Sequence, residues 1–253
     1  MTDACYLAEL GGAQPGDLVE VTGDEGRHAA VVKRTRVGET VLVSDGRGSA
    51  IRGDVVEVGK QKVGVRVTHC LSEPAAAHHW TVVQALAKGD RQEVAVETLT
   101  ERGVARIVAW QAARCVVRWD ARPGAAGKAD KGVEKWQATA RESTKQSRRF
   151  RVPQVEYATT EQVLLLISGA DLALVCHEDA TTPLARVSLP EHGEVVVVVG
   201  PEGGLTPDEL SAFRAAGGQL VSLGDGVLRT SSAGVVALAQ LQVLAELRTQ
   251  DHG

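Results

Sequence analysis

Val195-Val196-Val197-Val198-Val199-Gly200-Pro201-Glu202-Gly203-Gly204-Leu205-Thr206-Pro207-Asp208-Glu209 is the stretch whose reading decides the fold. Five successive valines predict a strand buried on both faces, as in a parallel sheet covered by helices. The glycine-rich turn after them lets backbone N–H and C=O groups come close to a ligand. Thr206, Pro207 and Glu209 then read as a helix start: Thr as N-cap, Pro at the first helical position, Glu closing a capping box. Ligands of open parallel sheets bind beyond the carboxyl ends of the strands, so residues 200–204 are a predicted binding loop. The loop is neither a P-loop nor a dinucleotide fingerprint, because GxxxxGK[ST] is absent and the glycine spacing differs.

Leu223-Gly224-Asp225-Gly226-Val227-Leu228-Arg229-Thr230-Ser231-Ser232-Ala233 repeats this arrangement after the predicted strand 220–223. Two such strand ends side by side make one crevice, where Val227 and Leu228 can hold an adenine and Arg229 can face an anion. Strands are also predicted over 80–86, 105–110 and 172–176. Helices are predicted from Asp90, with Glu93 closing its box, to Gly103, over 133–148, and from Ser231/Ser232 to Arg248. Residues 18–67 follow a different grammar, with alternating strands at 18–21, 40–43, 54–58 and 63–67, a turn at Asp45-Gly46 and a short helix near Glu25 to Lys33. Short strands with glycine turns suggest a small β-barrel. Ser72-Glu73-Pro74-Ala75-Ala76-Ala77 reads as the linker, giving domains of 1–72 and 73–253 in an α/β chain preceded by a β-domain.

The composition excludes several classes. With 253 residues and 43% hydrophobic content the chain can bury a sizeable core. No apolar run approaches the roughly 20 residues of a membrane span, and the start MTDACYLAEL lacks a signal-peptide layout. The cysteines at 5, 70, 115 and 176 are scattered, which points to free thiols in a reducing cytoplasm and to no metal site. Net charge is −4, yet Arg114 to Arg151 holds eleven Lys and Arg against four acids, a net +7 that leaves −11 for the rest. A basic segment on an acidic chain reads either as a phosphate-binding surface or as a solvated helix face.

GPEGGLTPDEL followed by LGDGVLRTSSA resembles the ribosomal RNA small subunit methyltransferase E family of the SPOUT superfamily. Ala87-Lys88-Gly89-Asp90-Arg91 with Thr100-Glu101-Arg102-Gly103-Val104 is similar to that family's first strand–helix unit. Glu142 with Lys145-Gln146-Ser147-Arg148-Arg149 and Val152-Pro153 is similar to its basic EQSGR…P segment. His28, Gly38-Glu39 and Asp45-Gly46-Arg47-Gly48 are similar to its N-terminal PUA-like domain. The resemblance covers nearly the whole chain. It implies a PUA-like β-barrel followed by a SPOUT parallel-sheet domain with a C-terminal trefoil knot, working as a cytoplasmic homodimer through the knotted domain. The implied reaction is methylation of N3 of one uridine in 16S rRNA of the small subunit with S-adenosylmethionine.

On this reading the cofactor is expected against His177, Glu178, Gly200, Pro201, Glu202, Gly203, Gly204, Leu223, Gly224, Val227, Leu228 and Arg229. RNA is expected on Arg27, His28, Arg34, Lys88, Arg141, Lys145, Gln146, Arg148 and Arg149. Uracil N3 carries a proton that must leave, so a cation beside the developing anion is required; Arg229 is assigned to it, with Arg149 second. Glu202 and Glu178 are candidate bases by position. The chain departs from the family at Ser231-Ser232, where Glu-Thr is usual. The competing readings are a non-catalytic RNA-binding assembly factor and a ribose 2′-O methyltransferase of the same superfamily.

Overall fold

The computed structural model describes residues 3–119 and 127–251, so Asp120, Arg122 and residues 123–126 of the expected Gly/Ala/Lys loop lie outside the described residues. The chain groups into two compact units, Met1–Ala75 with Arg141–Val152, and Ala76–Ala140 with Pro153–Gly253. It therefore enters the first unit twice, which a single boundary at residue 72 does not describe.

The first unit is a five-stranded sheet ordered β1-β3-β4-β5-β2, from β1 (Ala4–Leu7), β2 (Leu18–Val21), β3 (Thr40–Ser44), β4 (Ser49–Val58) and β5 (Val63–Ser72). Only β1 and β3 run parallel. Tyr6, Val19, Val21, Val43, Ile51, Val63 and Val65 form its core. The expected barrel is thus a sheet with β1 and β2 at its edges, and β1 was not read from the sequence. The expected short helix is present as α1 (Gly23–Arg27), which continues into a π-helical turn, His28–Val32. On β3 the expected alternation gives way to burial of Val41, Leu42, Val43 and Ser44 together. The physical reason is the returning segment: Ser44 Oγ donates to the Phe150 carbonyl at 2.9 Å, and Gly48 N–H donates to the same oxygen at 2.8 Å.

The second unit is a six-stranded, all-parallel sheet ordered β11-β9-β10-β6-β7-β8. Its elements are β6 (His78–Ala85), α2 (Arg91–Glu101), β7 (Arg106–Trp110), α3 (Lys128–Ser147, whose end lies in the first unit), β8 (Gln154–Ala158), α4 (Thr160–Gly169), β9 (Leu172–Cys176), β10 (Gly193–Val199), α5 (Pro207–Ala215), β11 (Gln219–Val221) and α6 (Thr230–Asp251). Val195 to Val199 are all buried, as two-faced cover requires. The capping box at Thr206 forms in full, with Glu209 N–H donating to Thr206 Oγ1 and Thr206 N–H to Glu209 Oε2. The box expected at Asp90 does not form, because Asp90 already has helical φ and ψ and its side chain accepts no cap bond. β8 and α4 were not read from the sequence, although α4 opens with its own box, Thr159 with Gln162. α6 has the length and composition of a membrane span, but Ala233, Ala237, Leu238 and Leu241 are buried in this unit's core.

Lys145 departs from the expectation of a phosphate contact. It is 7% exposed, and its ammonium lies 3.1 Å from Glu25 and 2.8 Å from Glu142. Glu25 also accepts from Leu7 N–H, so the pair fastens the end of α3 to edge strand β1. Burial works against the charge, but hydrogen bonds to Glu142 and Glu25 outweigh it and hold the amine above its usual range. Lys145→Ala leaves Glu25 without its partner, which should destabilise the first unit by about 3 kcal/mol in a denaturant titration.

Candidate functional site

Three parallel strands end at one cavity of about 710 Å³. Beyond β10 lies Gly200 to Leu205, beyond β9 Cys176 to Asp179, and beyond β11 Ser222 to Thr230. All twelve residues expected at the cofactor line it: His177, Glu178, Gly200, Pro201, Glu202, Gly203, Gly204, Leu223, Gly224, Val227, Leu228 and Arg229. Arg91, Arg114, Asp225 and Thr230 line it too and were missed as site residues. Arg91 and Arg114 come from distant stretches of sequence that only the sheet order brings here.

The first loop is a tight turn in which Gly204 N–H donates to the Pro201 carbonyl at 2.9 Å. Gly204 has φ +71°, a left-handed conformation that disfavours any side chain. The need for glycine at 203 has a source the sequence did not suggest. A Cβ there would stand 3.1 Å from Arg114 Cβ and 3.3 Å from the Arg114 carbonyl oxygen, so Gly203 admits the neighbouring backbone.

Glu202 is a clasp. Its Oε1 accepts from Lys88 N–H at 3.3 Å and from Arg91 at 3.2 Å, tying the loop after β10 to the loop after β6. Partial burial opposes the charge, but backbone N–H groups and Arg91 outweigh it and hold the carboxyl below the usual carboxylate range. A carboxylate so held is a poor proton acceptor, which counts against Glu202 as the base.

The second loop is fixed at both ends. Gln240 donates to the Leu223 carbonyl at 3.1 Å, and buried Gln84 donates to the Thr230 carbonyl at 3.3 Å. Val227, 77% exposed, and Leu228 stand as apolar side chains on the cavity wall. Ser232 and Ala233 N–H both donate to the Arg229 carbonyl, so α6 begins at Thr230. Ser231 and Ser232 therefore lie in the first helical turn and not at its cap. Arg229 has no carboxylate partner among the described residues. At the third strand end, Asp179 N–H donates to His177 Nδ1 at 3.2 Å, which leaves the neutral ring's proton on Nε2.

The expected RNA-binding residues divide. In the first unit Arg27, Arg34, Arg141, Gln146 and Arg148 are exposed, while His28 and Arg149 are half-buried and Lys145 is withdrawn into its ion pairs. Arg34 and Arg148 both sit in left-handed backbone, at φ 55° and 54°. Lys88 is exposed in the second unit.

Residues 74–242 match the RNA methyltransferase domain family, and residues 21–68 match the RNA methyltransferase PUA domain. The ribosomal RNA small subunit methyltransferase E of Mycobacterium bovis is 42% identical over 234 residues, covering 90% of this chain and 87% of that one. Its counterpart in Bacillus subtilis is 30% identical over 244 residues, covering 92% of each. Among solved structures, a ribosomal RNA small subunit methyltransferase E from Neisseria gonorrhoeae bound to S-adenosyl methionine superposes with TM-score 0.83 at 26% identity, covering 96% of this chain and 98% of that one. A Legionella pneumophila protein in complex with the same cofactor superposes with TM-score 0.82 at 27% identity, again covering 96% and 98%.

Because the folded pKa of Glu202 is lowered, its clasp is fully present above the ordinary value of 4.5 and is lost as pH falls through the lower, folded value. Glu202→Gln should reproduce that loss at neutral pH. Ligand affinity of the cavity should fall by about tenfold in the variant, measured by calorimetry at pH 7, with only a small change in unfolding midpoint.

Proposed function

We propose, since this chain belongs to the ribosomal RNA small subunit methyltransferase E family, that it is an S-adenosylmethionine-dependent rRNA methyltransferase whose target is N3 of one uridine in 16S rRNA. The observation that carries this reading is the single cavity at three strand ends, walled by two glycine-rich loops, in a chain that superposes on cofactor-bound relatives. The residues suit the cofactor. Val227 and Leu228 offer an apolar wall for an adenine, the turn at 200–204 brings backbone close, and His177 offers an Nε2–H donor. When bound, S-adenosylmethionine supplies an already activated methyl group.

The chain's own task is the nucleophile. Uracil N3 must lose its proton, and the negative charge then spreads over the two flanking carbonyl oxygens. Arg229 lies on the cavity wall without a carboxylate partner among the described residues, so its guanidinium can stabilise that charge as it forms. Arg149, the second candidate from the sequence, is not among the residues that line the cavity. With Glu202 held by Lys88 and Arg91, the proton acceptor passes to exposed Glu178, solvent or the RNA itself. Ser231, where the family usually carries Glu, is buried in the first turn of α6 and takes no part in proton transfer.

The first unit serves docking on the ribosomal RNA of the small subunit, through Arg27, His28, Arg34, Arg141, Gln146, Arg148 and Arg149, and Lys88 adds a contact from the second unit. The C-terminal part forms the family's trefoil knot. A homodimer forms through that part, and half-exposed Val243 and Leu247 on α6 give it apolar surface to cover. The protein works in the cytoplasm, where ribosomal subunits are found.

Nucleoside mass spectrometry of 16S rRNA from cells lacking the protein should show loss of 3-methyluridine, restored by the wild-type chain. An unchanged nucleoside profile refutes the assignment, and a lost 2′-O-methyl nucleotide replaces it. In purified enzyme, Arg229→Ala should slow single-turnover methyl transfer by about 100-fold with cofactor affinity nearly unchanged. Raising pH should restore part of the rate, since more uracil ionises unaided.

A further inference from the structure

We propose that Arg114 is a positioning residue that holds the glycine-rich loop 200–205 in its ligand-ready shape, an inference that rests on the cofactor reading of the cavity. Three observations carry it. Arg114 Nη1 donates to the Gly203 carbonyl at 3.0 Å and to the Leu205 carbonyl at 3.3 Å. The Cβ that Gly203 lacks would stand 3.1 Å from Arg114 Cβ and 3.3 Å from the Arg114 carbonyl oxygen, so only glycine lets the loop lie this close to the strap. The residue before, Ala113, donates its N–H at 2.8 Å to Glu209 Oε1, whose other oxygen closes the capping box of α5. One short strap thus grips the loop in its middle and at its exit.

The strap is itself built to be stiff. Ala112 and Cys115 are buried on either side of Arg114. Trp119 N–H closes the segment onto Gln111 Oε1 at 2.6 Å. Its indole lies edge-on to Trp136 with ring centres 5.4 Å apart, over Gly132, where any Cβ would collide with it. Within the loop the backbone is held by the turn from Gly204 to Pro201, and Glu202 is held by Lys88 N–H and Arg91; the carbonyls of Gly203 and Leu205 depend on Arg114. Without Arg114 the carbonyls of Gly203 and Leu205 turn to water, and ligand binding must order the loop again. That ordering cost falls on affinity and not on the chemical step. Among the described residues Arg114 has no carboxylate partner, so its guanidinium is committed to the loop.

Calorimetry with S-adenosylhomocysteine on the full chain tests this. Failure of the wild-type chain to bind refutes the cofactor reading itself. If wild type binds, Arg114→Ala should weaken affinity by about tenfold or more. Arg114→Lys should restore little, because both bonds leave one nitrogen, Nη1, at the end of a planar group, and the shorter lysine chain sets its amine short of that point. Steady-state rates should place the Arg114→Ala loss in KM for S-adenosylmethionine, with kcat at saturation within about twofold of wild type. Wild-type affinity in Arg114→Ala overturns the proposal. So does full rescue by Lys, which would make Arg114 a charge contact, or a loss confined to kcat, which would make it a catalytic residue. If Arg114→Ala does not fold, Arg114→Gln, which keeps a polar stem but ends two bonds short of Nη1, decides: weakened affinity supports the clamp and unchanged affinity overturns it.

Discussion

Strand β10 is hydrogen-bonded along its length to β6 on one side and β9 on the other, and Val195 to Val199 are buried on both faces. A strand so enclosed releases the chain only at its end, and every parallel neighbour releases its chain at the same end. Loops 176–179, 200–205 and 222–230 therefore converge without any of them having to fold independently. The cavity is a consequence of direction in the sheet. What remains for the loop residues is to stay open against a ligand-sized space while their own polar groups find partners.

Those partners come from other elements of the second unit. Carbonyls of Gly203, Leu205, Leu223 and Thr230 are taken by Arg114, Gln240 and Gln84, and the carboxylate of Glu202 by Lys88 N–H and Arg91. These bonds occupy the loops' own polar groups and so keep the wall shaped. The cost falls on Gln84, whose Oε1 is buried with no partner among the described residues. A buried acceptor left so is tolerated where the amide's other end secures something of greater value, and here that end fastens the first residue of α6.

The parts legible in the sequence were those in which local chemistry and tertiary context agree. Val195–Val199 had to be a covered strand, and Thr206-Pro207-Asp208-Glu209 had to start a helix, because every local preference pointed the same way. Both glycine-rich loops were legible for the same reason, and the structure brings all twelve expected cofactor residues to one cavity. Asp90 misled because a capping residue counts only when its backbone is extended, and here it is helical. β8 and α4 escaped because Gln154-Val155-Glu156-Tyr157-Ala158 is a mixed edge strand lacking a continuous apolar run. Lys145 read as a phosphate contact because a charge run does not reveal which member turns inward, and its partner Glu25 is 120 residues away. Arg114 and Arg91 were invisible as site residues because their place depends on strand order, which no local pattern encodes.

The first unit closes on a segment from the middle of the chain. Ser44, Gly48 and Glu25 all bond to groups between Lys145 and Phe150. During synthesis the chain emerges from its N-terminus. Strands β1 to β5 are complete by residue 72, yet Glu25 and Ser44 on β3 wait for their partners until residue 150 has been made. By then β6, α2 and β7 of the second unit have also emerged. The two units thus mature in an interleaved order, and neither can be cut from the gene as one uninterrupted block.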